Sequence, residues 1–133
     1  MNEKTLVCGM VKFPPSLVAM CDTEEVARSM GVRLQPCSMH DFVQHRFACQ
    51  LLAVYVTEET LDQAIEELRL FLDSAQTGRI DILLVCPLSF SRDLLDAWML
   101  GVHSVVPVSD RLENLYCAVS RIAALRREME SMS

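Results

Sequence analysis

Five short apolar runs alternate with five stretches of helical periodicity, and this rhythm leaves the chain few folds. The runs cover 5–11, 32–37, 51–56, 80–86 and 104–108. Continuous apolar runs such as 51–56 and 80–86 suit strands buried on both faces, as parallel sheets require. An order of βαβαβαβαβα dictates an α/β domain. Its sheet is parallel, its crossovers are right-handed and its helices cover both faces. Pro107 in the last run favours an edge position, because proline cannot donate to a ladder.

The intervening stretches carry helix signals. Pro14-Pro15-Ser16 opens a first helix. Leu17, Met20, Cys21, Ala27 and Met30 share its face, and Gly31 ends it. Ser38 and Asp41 stand at capping-box spacing for a short helix through about Cys49. Thr57-Glu58-Glu59 caps a third helix, with Leu61, Ile65, Leu68, Leu72 and Ala75 on one face and Gly78 as its stop. Ser91 and Asp93 start a fourth, ended by Gly101. A last helix begins near Asp110 and Glu113.

The chain has 133 residues, the size of one domain, and 51% of them are apolar, enough for a core. A net charge of −6 argues against direct nucleic-acid binding. None of the six cysteines has the two-residue spacing of a zinc site or redox dithiol, so reduced thiols of a cytoplasmic protein are expected. No signal peptide is read at the start, and no apolar run approaches the roughly 20 residues that span a bilayer. His40, His45 and His103 share no metal-ligand spacing. No metal or other cofactor is expected.

The segment Leu94-Leu95-Asp96-Ala97-Trp98-Met99-Leu100-Gly101-Val102, followed by His103-Ser104-Val105-Val106-Pro107-Val108-Ser109-Asp110, resembles the fourth helix and fifth strand of the bacterial response-regulator receiver family. That resemblance extends in pattern over residues 4–125. It implies a flavodoxin-like (βα)5 three-layer sandwich with strand order 2-1-3-4-5. It also implies positions for phosphorylation chemistry, and this chain fills them unsuitably. Receivers place a Mg²⁺-binding acidic pair after strand one, because a hard cation needs carboxylate oxygens. Here Lys12 and Phe13 stand there, with no acid between Lys4 and Asp22. The phosphoacceptor aspartate is matched by Val56-Thr57, the switch Ser/Thr by Cys86 or Pro87, the strand-five lysine by Val108 and the aromatic switch by Val105. Phosphoryl transfer to a carboxylate needs a metal to offset the charge. The expectation is a degenerate receiver, or pseudoreceiver. It is no enzyme but a protein-interaction or dimerisation module of bacterial signalling or transcription regulation.

One catalytic rival is readable. Cys86-x5-Arg92 fits the loop of cysteine-dependent phosphatases, where a thiolate and an arginine face a phosphate at a helix N-terminus. Against it, the loop lacks a glycine to let its N–H groups converge.

In the last helix Leu115, Ala118, Ile122, Leu125, Met129 and Met132 step by three and four, a heptad seam. Leu112, Leu115, Val119 and Ile122 suffice to cover the sheet. Residues 1–124 are therefore read as the domain, and 125–133 as a helical extension able to pair or to lead into an output domain. Asp96, Met99, Asn114, Arg121, Leu125 and Met129 are the expected contact residues. They would serve a protein partner or a weak homodimer, with no membrane involved.

Overall fold

The computed structural model describes residues 5–44, 48–72, 80–90, 104–108 and 112–132. Five strands, β1 (Leu6–Val11), β2 (Val32–Pro36), β3 (Leu51–Tyr55), β4 (Asp81–Pro87) and β5 (Ser104–Val108), form one sheet in the order β2-β1-β3-β4-β5. Every pairing is parallel. The helices are α1 (Pro15–Met20), α2 (Thr23–Met30), α3 (Met39–Val43), α4 (Leu61–Leu72) and α5 (Glu113–Met132), with a 3-10 turn at Leu88–Phe90.

Strand alternation splits the core in two. Leu6, Cys8 and Met10 of β1, Leu51 and Ala53 of β3, and Leu83 and Val85 of β4 point to one face. There they meet Leu17 of α1, Val26 of α2, and Leu115, Val119 and Ile122 of α5. Val11, Leu52, Val54, Leu84 and Cys86 point to the other, against Met39 and Phe42 of α3 and Ala64 and Leu68 of α4. Helices thus cover both faces. Each fully buried large side chain among these contributes roughly 1.5–3 kcal/mol of transfer free energy.

Three helices depart from their sequence pattern. The single helix expected up to Gly31 is two. Asp22 caps a new start, its side chain accepting from the Glu25 N–H at 3.0 Å, while Cys21 is extended. The short helix capped by Ser38 ends at Val43, and Cys49 is a buried residue ahead of β3 rather than a helical one. The third begins after Thr60, whose hydroxyl accepts the Thr57 N–H at 2.9 Å, so Thr57-Glu58-Glu59 lie outside the helix. The helix expected from Ser91 to Gly101, and Gly78, lie outside the described residues.

Both sheet edges are blunted in the same way. On β2, the Gly31 carbonyl accepts from Leu6 and the Cys37 N–H donates to Met10, so the odd-numbered residues face β1. Pro36 therefore turns its missing donor outward. On β5, the edge position expected for Pro107 is the one observed. Its carbonyl accepts from the Asn114 side chain at 2.9 Å, so it too faces away from β4. Prolines here weaken sheet-to-sheet association and cost no ladder bond.

Candidate functional site

In open parallel sheets, ligands bind outside the strand C-termini where the strand order reverses, here between β1 and β3. The chain fills this crevice with its own side chains. β1 ends at Val11, which is buried. Lys12 then turns the backbone with φ 64, in the left-handed region that non-glycine residues seldom adopt. Its ammonium reaches Glu67 of α4, Nζ to Oε1 2.9 Å, with 27% and 30% of the two side chains exposed. Phe13 lies against Tyr55 at the end of β3, ring centroids 5.6 Å apart and tilted at 47°. Both rings pack on the α1/α2/α5 face, whereas Glu67 rides on a helix of the other face.

Val56 is buried, and its N–H donates to Val85 at 2.8 Å. Beside it the Thr57 and Thr60 hydroxyl oxygens stand 3.2 Å apart. Glu58 and Glu59 are exposed in the following turn. Cys86 has no exposed surface, and burial pushes its thiol up to about 11. A neutral thiol buried among Val54, Leu84 and Val56 is a core group at physiological pH. Val108 is buried opposite Leu112 and Leu115. So the degenerate positions Lys12, Phe13, Val56, Thr57, Cys86 and Val108 all sit at the C-terminal pole of the sheet, mostly as packing groups. Arg92 lies outside the described residues. Glu67 and Tyr55, the partners that close this pole, were not legible as site residues. Glu67 sits 55 residues from Lys12, and no short-range signal marks the pair.

A second surface runs along α5. Val105, Pro107, Asn114, Cys117 and Arg121 line a groove of about 250 Å³ between the β5 edge and the helix. Further along, Leu125 is 44% and Met129 72% exposed. The helix is continuous across Ala124. Two residues beyond it still grip the body. Arg126 Nη1 donates to Asp81 Oδ2 at 2.8 Å, and Arg127 donates to the Met30 and Gly31 carbonyls at 3.1 Å each. Asp96 and Met99 lie outside the described residues. Among the described residues no helix is long and apolar enough to cross a membrane.

Strand order 2-1-3-4-5 with helices on both faces defines a flavodoxin-like α/β domain of receiver-like topology. Among solved structures, the chain is similar to a pilus assembly protein, CpaE, from Caulobacter crescentus CB15. The two share 13% identity over 90% of this chain and 92% of that one, with a TM-score of 0.53. At that identity the likeness is one of fold. No protein-family model matches the chain, and no curated protein does.

Proposed function

We propose that this chain is a pseudoreceiver: a receiver-like domain that takes no phosphate and acts by protein contact in bacterial signalling, assembly or transcription regulation. The observation that carries the reading is the strand-end pole. Where receiver chemistry needs a carboxylate pair for Mg²⁺, a lysine already neutralised by Glu67 and a phenylalanine tilted against Tyr55 stand instead. Neither side chain offers the oxygen ligands that Mg²⁺ needs, and the buried Val56 side chain offers no acceptor oxygen. The protonated, buried Cys86 disfavours the phosphatase alternative, since the thiolate is the nucleophile.

The contact surface in this reading is α5 with its groove, used for weak homodimerisation or for a protein partner, in the cytoplasm and without a cofactor. Leu125 and Met129 leave apolar surface in water, and the prolines on both sheet edges steer association towards helices. That CpaE is named for pilus assembly fits a domain that works by contact.

The test is exposure to acetyl phosphate or beryllofluoride with Mg²⁺. Intact mass and the NMR signals around Val56 and Cys86 are expected to stay unchanged. A phosphate-sized mass gain, or Mg²⁺-dependent shifts spreading from those residues, refutes the reading. Turnover of an aryl phosphate that is lost in Cys86→Ser would instead establish the phosphatase.

A further inference from the structure

Two contacts cross the switch-point crevice, one on each side of the sheet. Lys12 belongs to the loop that leaves β1 towards α1. Glu67 sits on the helix that follows β3, and the ion pair between them closes the α3/α4 side. Phe13, the next residue, meets Tyr55 of β3 and closes the α1/α2/α5 side. Adjacent residues of one loop are thus tied to opposite faces of the molecule. The left-handed backbone at Lys12 turns the chain between the two ties. A non-glycine residue persists in that conformation only when its surroundings over-determine it.

We propose that Lys12–Glu67 and Phe13–Tyr55 form a clasp that holds the β1–α1 loop in one conformation against β3 and α4 without any ligand. The inference rests on the pseudoreceiver reading and says what orders this pole in such a domain: a built-in ion pair and ring contact rather than a bound group. An ordinary doubly wound domain lets a ligand order these loops. Here the ammonium and the carboxylate neutralise each other in place, and the part-buried ring pair packs on the other side. The consequence is an interaction surface that does not switch with phosphodonor or metal. The clasp loosens when its ion pair is screened, because the pair is part-exposed.

The experiment measures backbone ¹⁵N order parameters at Lys12 and Phe13, in the whole chain, at low and high salt. In the parent protein both amides are expected in the rigid range, about 0.85. Glu67→Gln should lower them measurably below that range. Tyr55→Leu should do the same from the other tie. The exchanged pair Lys12→Glu with Glu67→Lys should restore rigidity, which a merely structural role for either residue would not predict. High salt should loosen the parent towards the Glu67→Gln value and leave that variant unmoved. Rigid amides in both single variants, or no recovery in the exchanged pair, would overturn the clasp. Native dispersion elsewhere in the spectrum shows that each variant folds. The outcome is independent of phosphodonor response, so the clasp and the pseudoreceiver reading can fail separately.

Discussion

Removing the Arg127 guanidinium should cost stability, and the cost should vanish once Gly31 has a side chain. Gly31 ends α2 in a left-handed conformation, φ 67, and its N–H donates back to Ala27. The α2 carbonyls of Met30 and Gly31 each receive a charge-assisted bond from Arg127, 3.1 Å long. Two such bonds, part-buried and placed at a helix C-terminus where a cation is favoured, are worth about 1.5–2 kcal/mol together after allowing for rehydration of the carbonyls. Arg127→Ala should therefore lower the thermal midpoint by about 4–7 °C for a chain of this size. A Cβ at position 31 would collide with the guanidinium itself. Gly31→Ala thus adds about 1–2 kcal/mol of left-handed backbone cost to the loss of the Arg127 bonds, about 3 kcal/mol in all.

The double variant then has no further bonds to lose, and should match Gly31→Ala within about 0.5 kcal/mol. Urea unfolding of the four proteins, read as midpoint shifts at constant slope, measures this. Additivity of the two single effects would refute the reasoning, because it would mean that Arg127 and Gly31 do not share one site. The same geometry warns that cutting the chain after Ala124 removes Arg126 and Arg127 together. Truncation after Ala124 is therefore no clean test of self-association.

Point changes on the exposed stripe test association more cleanly. Leu125→Glu and Met129→Glu touch no core contact, and each should weaken concentration-dependent dimerisation. Burial of these side chains offers at most roughly 1.5–3 kcal/mol apiece. A monomer in sedimentation at high micromolar concentration, identical in parent and variants, would remove α5 as a self-association surface. The thiols give a pH test. Burial raises Cys49 and Cys86 from 9.0 to about 11, so the unfolded chain ionises them first. Stability from these groups is complete below pH 9 and falls as pH rises towards 11, by up to about 1.4 kcal/mol per unit for each thiol. Urea midpoints that stay flat between pH 8.5 and about 10.5 would contradict this sign. At neutral pH the exposed Cys117 should react first with a thiol reagent, and the buried Cys8, Cys49 and Cys86 only on unfolding.

The sequence alone carried the architecture. Its five apolar runs are of strand length, and they are separated by helical periodicity. Strand β3 falls where the pattern puts it because it is a local apolar run buried on both faces, and β5 because its apolar run carries the proline of an edge strand. The vacancy at the strand ends was equally legible, since the lack of any acid between Lys4 and Asp22 needs no coordinates. The split of the first helix had a local signal that its apolar face concealed. Asp22 stands three residues before Glu25, a capping arrangement that overrides the 3.6-residue periodicity running through Cys21. The remaining features belong to tertiary structure. Lys12 meets Glu67, Phe13 meets Tyr55, Arg126 meets Asp81 and Arg127 meets Gly31 across 42 to 96 residues. Polar and aromatic groups such as these have many possible mates along a chain. Only the strand order, by bringing distant residues to the same pole, selects one mate for each.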